Sequence, residues 1–260
     1  MENLHFNDKD TKDFNPALQN SLLQETDSLQ KDSMPNASLQ NTIESKSVIT
    51  QQQEALNSAR ALYYDFFAGF FLYELIAKRF ELFSKQIEVL SQAPLSDEDS
   101  QSFAMLKRFL ASTTSQEIAR EYSVAFNIPF NTGKLPPNLK GKKARTFGNP
   151  QTFLYLSHYL EGCLNGGSLL KAKMLTKKTH FRLSSEFKES EEHFGFLLML
   201  MRHLLQDSQN AIANEIFKEC LKPMAMPIAL SLQKRDDLPC FSLVGALLKN
   251  FITMEEHING

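Results

Sequence analysis

The residues best suited to chemistry stand together at Glu189-Ser190-Glu191-Glu192-His193, directly before the apolar run from Phe194 to Leu205. On the first turn of a helix, Glu189, Glu192 and His193 fall at i, i+3 and i+4 and share a face, with Glu186 and Glu191 nearby. Carboxylates beside an imidazole could move protons, but catalysis needs a nucleophile or a second carboxylate station, and neither is identifiable. Acids in a first turn also complement the helix dipole, which gives these residues a purely structural alternative as helix caps. His193, placed against the apolar run, can equally be a core histidine bonded to the backbone.

Other motifs do not hold up. Lys140-Gly141-Lys142-Lys143 superficially resembles a phosphate loop, but Gly133 is too far from Gly141 and no Ser or Thr follows Lys142. The basic run Lys134, Lys140, Lys142, Lys143 and Arg145 reads as a solvated loop, or as a contact for an acidic surface. The histidines form no His-Glu-x-x-His, His193 and His203 are too distant for a local metal pair, and no Gly-x-Ser-x-Gly elbow is present. A non-enzymatic binding protein without metal or cofactor is expected.

These residues must be positioned by helices. Leu62, Phe66, Phe70 and Tyr73 recur at three- and four-residue steps, with Phe67, Phe71 and Leu75 widening the stripe, so a deeply buried first helix follows from Gln51 onward. A second helix is expected over Leu75 to Leu90, and a third through Phe103, Leu106 and Leu110 behind a Ser96/Asp99 cap. A fourth opens on the capping box Thr114/Glu117 and ends near Phe126. The Pro- and Gly-rich break from Asn127 to Asn149 is long for a compact domain, and such connections are often functional. Asn149-Pro150 should start a helix through Phe153, Leu156, Leu160 and Leu164. A loop over Lys177 to Ser190 leads into the apolar helix. Ala211 to Leu221, Met224 to Gln233 and Phe241 to Met254 complete the set. No stretch alternates like a strand and no repeat period is visible, so the fold class is all-α, a single-domain helical bundle.

Composition bounds the rest. With 260 residues and 42% hydrophobic content the chain can bury a substantial core, and a net charge of −2 argues against a nucleic-acid partner. Cys163, Cys220 and Cys240 fit neither a disulfide framework nor a paired metal site, which favours a reducing cytoplasm. The start of the sequence lacks the basic and apolar regions of a secretory signal. The apolar stretches Ala61 to Ala77 and Phe194 to Leu205 are shorter than the ~20 residues of a membrane span. Residues 1–50 are polar and acidic, carry only Phe6 and Phe14 as aromatics, and include Pro16 and Pro35. They are expected to be a disordered tail before a domain at 51–260.

Three stations along the chain resemble the TorD-type redox-enzyme maturation chaperones, the TorD/DmsD/NarJ group. Arg60 and Tyr64, followed by Phe66, Phe67 and Phe70, match the first helix. Glu121-Tyr122-Ser123-Val124-Ala125-Phe126, then Pro136-Pro137, then Ser157-His158-Tyr159-Leu160-Glu161-Gly162 match the second, although the family's aromatic beside the proline is missing. Glu189-Ser190-Glu191-Glu192-His193 matches the family's Glu-Pro-x-Asp-His segment, with Ser190 for Pro and Glu192 for Asp. The resemblance covers roughly residues 55 to 255.

The resemblance implies a TorD-like cytoplasmic protein, monomer or homodimer. It would bind the twin-arginine signal peptide and immature catalytic subunit of an exported molybdopterin oxidoreductase until cofactor insertion is complete. Formate dehydrogenase is the client indicated by the glutamate-rich third station with its His193-Phe194-Gly195 continuation. A receptor for such a peptide needs carboxylates for the guanidinium groups and an apolar groove behind them. Glu189, Glu192, His193, Phe126, Pro136, Ser157, Tyr159, Glu161 and Phe194 are the candidates, and Met199 and Met201 could add to the groove unless they are core. A helical scaffold or regulator binding another apolar peptide through the same groove is the alternative reading.

Overall fold

A run of aromatic side chains at helical spacing forms the spine of the molecule, as the first helix requires. The computed structural model describes residues 37–126, 152–181 and 187–259. Helix α1 (Ala37–Phe71) buries Tyr64, Phe66, Phe67, Phe70 and Phe71 completely. It begins within the stretch expected as a polar tail, and residues 1–36 lie outside the described residues. The chain breaks at Leu72, whose extended backbone separates α1 from α2 (Tyr73–Lys78). The break turns Tyr73 out of the aromatic stripe, and it is 53% exposed.

Arg79 then separates α2 from α3 (Phe80–Leu90), so the single helix expected over Leu75 to Leu90 is two. Next come α4 (Asp97–Ser112) and α5 (Ser115–Phe126). Their starts follow the capping chemistry read in the sequence. The Ser96 hydroxyl accepts from the Asp99 N–H at 3.1 Å. The Thr114 N–H donates to Glu117 Oε2 at 3.0 Å, while the Thr114 hydroxyl accepts from the Glu117 N–H at 3.3 Å. Asp99 does not complete its box. Its carboxylate accepts from Asn250 Nδ2 at 2.8 Å and so ties α4 to the last helix.

Beyond the break come α6 (Leu156–Glu161), α7 (Gly167–Lys178), α8 (Phe194–Gln206) and α9 (Asn210–Ile216). Asn149 and Pro150, the expected helix start, lie outside the described residues, and α6 is far shorter than the helix expected through Leu164. Gly162, in the left-handed region at φ 70°, ends it. Helix α7, unforeseen in the sequence, follows. A π-helical turn at Phe217–Leu221 joins α9 directly to α10 (Lys222–Gln233), so Pro223 sits in a first turn instead of separating two helices. A widened turn spares the helix the clash a proline ring makes with the carbonyl four residues earlier. Helix α11 (Pro239–Asn259) closes the domain.

Helix α8 lies along α1, and α11 packs against α10 and α4. Gly195 makes the α1–α8 contact possible, because a Cβ there would lie 2.6 Å from the Phe71 carbonyl oxygen. Glu255 locks the first and last described helices together. It accepts from Arg60 Nε and Nη2 at 2.6 and 2.8 Å and from the Tyr64 hydroxyl at 2.7 Å, all in the interior. The Arg-x-x-x-Tyr spacing thus puts two donors on one helical face toward one carboxylate. Asp65 ties a second junction, with Arg79 at 2.7 Å, Gln86 at 2.7 Å and Arg202 at 3.4 Å.

The described residues contain no strand, only an isolated antiparallel bridge between Tyr155 and His193. The all-α expectation holds, and no described helix is long and apolar enough to cross a membrane.

Candidate peptide-binding cleft

The bridge between Tyr155 and His193 builds the site. The Leu156 N–H donates to the Glu192 carbonyl at 3.2 Å, and the Phe194 N–H donates to the Leu154 carbonyl at 2.7 Å. This pairing holds Phe153–Tyr155 extended beside the turn that carries Glu189. Opposite them stand Tyr73 and Glu74 of α2 and Tyr122 and Phe126 of α5. Between the two walls lies a cleft of about 320 Å³, lined also by Phe187 and Lys188.

Glu189 is one of two acids that face this space, the other being Glu74 on the opposite wall. Glu189 is about one-third exposed, and the Tyr155 hydroxyl donates to its Oε2 at 2.7 Å. Tyr155 is held neutral, since burial and the adjacent carboxylate push its hydroxyl pKa well up. Glu189 is therefore oriented by a neutral donor.

His193 is buried at the back of the cleft. It does not lie in the first turn of α8 but is its N-cap, with Nδ1 accepting from the Gly195 N–H at 3.2 Å. Burial lowers its pKa to about 4, against the opposing pull of Glu189. A neutral ring whose Nδ1 accepts must carry its proton on Nε2. Nε2 is 3.9 Å from Glu189 Oε2. The reading of His193 as a backbone-bonded buried histidine therefore holds, and it also lines the cleft.

Glu192 points the other way. It is fully buried and accepts from the Ser157 N–H at 2.8 Å and from the Ser157 hydroxyl, both at Oε2. Tyr155, the N-cap residue of α6, supplies no side-chain acceptor, so Glu192 caps that helix from a distance. The expectation that Glu189, Glu192 and His193 share a helical face is corrected here. The helix starts only at Phe194, and the turn before it sends successive acids to different sides. The capping alternative fits Glu192, but the helix capped is α6 and not its own α8.

Glu161 follows the same pattern. It accepts from the Gly167 and Ser168 N–H groups at 2.8 and 2.6 Å and from the Ser168 hydroxyl, capping α7. The Ser168 hydroxyl first, then these N–H groups, hold its carboxyl below the usual range. Glu121 does this for α11, accepting from the Cys240 and Phe241 N–H groups at 3.0 and 3.3 Å. Desolvation nevertheless raises its pKa to about 7.

Of the remaining candidates, Phe126 lines the cleft, with its ring 4.8 Å from that of Tyr122. Tyr159 supports the wall from outside by donating to the Phe153 carbonyl at 2.8 Å. Phe194 is fully buried against Phe71, and Met199 and Met201 are core, so none of the three forms a groove. Ser157 is buried under Glu192. Pro136 and its neighbour Pro137 lie outside the described residues. Sequence reasoning missed Tyr73, Glu74, Phe153 and Tyr155 as cleft residues. Tyr73 lay in phase with the core stripe, and only the break at Leu72 frees it.

Among the described residues no cluster of His, Cys, Asp and Glu could hold a metal. Cys220 and Cys240 are buried, with thiol pKa values raised by desolvation, while Cys163 is exposed. The arrangement offers one oriented carboxylate, a second at the mouth, and aromatic walls. That is chemistry for holding a cationic group next to apolar chain. Residues 144–226 match the family described as nitrate reductase delta subunit, a stretch that includes one wall of the cleft, Glu189 and His193. No curated protein matches the chain.

Proposed function

On the premise that the chain belongs to the NarJ/TorD-type family of molybdoenzyme maturation chaperones, we propose that the cleft binds the twin-arginine signal peptide of an exported molybdopterin oxidoreductase in the cytoplasm. Membership implies a chaperone for redox-enzyme maturation. The observation that supports the finer reading is Glu189, which is fixed by the Tyr155 hydroxyl, partly exposed, and set in a cleft walled by Tyr73, Tyr122, Phe126 and Phe153. An Arg guanidinium can bond a carboxylate through two N–H groups and stack on an aromatic face, whereas an ammonium does neither as well. The uncharged stretch behind the Arg pair would lie along Leu72, Phe126 and Leu154.

The division of labour follows from burial. Glu189 contacts the ligand, His193 and Phe126 line its seat, and Glu192, Ser157, Tyr159, Glu161 and Phe194 hold the walls in place. The client is proposed to be a catalytic subunit of the formate dehydrogenase kind, held until its cofactor is inserted. Co-expression with such a subunit tests this. The subunit should co-purify with the protein when its signal segment is present and be lost when the Arg pair is changed to Ala. Co-purification indifferent to the Arg pair would contradict the proposal.

A further inference from the structure

We propose that Glu74 is a second anionic contact of the cleft and that Lys188 occupies it in the free protein, so that a paired-guanidinium ligand displaces Lys188 on binding. The inference rests on the peptide-binding reading of the cleft. Lys188 Nζ lies 3.6 Å from Glu74 Oε1. Lys188 belongs to the same turn as Glu189, and Glu74 belongs to α2 on the facing wall, so this ion pair crosses the mouth of the site.

The two acids differ in how they are held. Glu189 is fixed by Tyr155, whereas among the described residues Glu74 pairs with a lysine that is itself 82% exposed. An exposed amine–carboxylate pair at this separation is weak and screened, so it breaks without disturbing the fold. The lysine still sets the charge balance. Among the described residues that line the cleft, two carboxylates, Glu74 and Glu189, face one ammonium, Lys188. A ligand with one cation satisfies Glu189 alone. A ligand with two adjacent guanidinium groups satisfies both acids and returns Lys188 to solvent, and it gains at Glu74 because a guanidinium fork matches a carboxylate better than an ammonium does. Tyr73, next to Glu74 and half exposed, has its ring 5.5 Å from that of Tyr122 and offers a face for the second guanidinium.

Calorimetric titration with an Arg-pair signal peptide tests this on the full chain and three variants, Lys188→Gln, Glu74→Gln and the double variant. All four proteins should melt together, since both side chains are exposed. Lys188→Gln should bind about two- to fivefold tighter, the size of a lost surface ion pair. Glu74→Gln should bind several-fold weaker, and adding Lys188→Gln to it should bring no gain. Unchanged or weaker binding by Lys188→Gln overturns the inference. So does a gain that persists without Glu74, which would show only general charge repulsion. If the unaltered protein binds through Glu189 yet ignores Lys188, this inference fails alone. If it binds no Arg-pair peptide, the reading of the cleft fails and takes this inference with it.

Discussion

Glu192 and Ser157 are 35 residues apart in sequence, yet the carboxylate of one accepts both the N–H and the hydroxyl of the other in the interior. This contact anchors the extended wall of the cleft to the turn that carries Glu189. It also accounts for an acid that reads in sequence as a ligand contact and is a structural part.

Glu192→Ala is expected to destabilise the protein by about 2–4 kcal/mol, through lost buried hydrogen bonds and an uncapped helix start. Thermal denaturation would measure this. Peptide affinity, taken well below the transition, should be nearly unchanged. Lost affinity at an unchanged melting temperature would make Glu192 a ligand contact after all.

The Arg60–Glu255 pair joins the first and last described helices through buried charge. Removing either partner leaves the other uncompensated, and Arg60→Met or Glu255→Leu should cost about 3–5 kcal/mol. The double variant should recover much of that loss. A double-variant cost equal to the sum of the two single costs, measured by urea denaturation, would show that the pair is not coupled.

A buried histidine and a half-buried glutamate should oppose each other in the acid range. His193 titrates near 4 in the folded protein and near 6.5 unfolded, so its contribution is present above 6.5 and is lost as pH falls toward 4, by about 3 kcal/mol. Glu121 titrates near 7 folded against 4.5 unfolded, so its contribution is present below 4.5 and is lost as pH rises toward 7. Relative to the unaltered protein, His193→Asn, which can still cap α8, should lose less stability on acidification. Glu121→Gln should lose less as pH rises through the same window. Identical pH profiles for all three proteins would contradict both assignments.

The parts of the fold that were legible in the sequence were local ones. The aromatic spine of α1, the Thr114/Glu117 box and the apolar helix after His193 depend on spacing within one element, and the chain shows that spacing directly. What could not be read was long-range capping. Glu121 and Glu192 each cap the start of a helix far away in the chain, Glu161 caps the next helix along, and no local pattern announces which acid will do so. The cleft was half legible for the same reason. Glu189 and Phe126 stood in recognisable stations, whereas Tyr73 and Glu74 enter only because the helix breaks at Leu72. Tyr155 enters because a backbone bridge pins it opposite His193.

The most direct test is the affinity of the Glu189→Gln variant for an Arg-pair signal peptide, measured by calorimetry beside the unaltered protein. Loss of a charge-assisted contact of about 1.5–3 kcal/mol should weaken binding roughly ten- to a hundredfold at an unchanged melting temperature. The loss should narrow as salt is raised. A Lys-pair peptide should bind the unaltered protein more weakly than the Arg pair. Equal affinity of the two proteins for the Arg-pair peptide would contradict the account and move the binding surface away from this cleft.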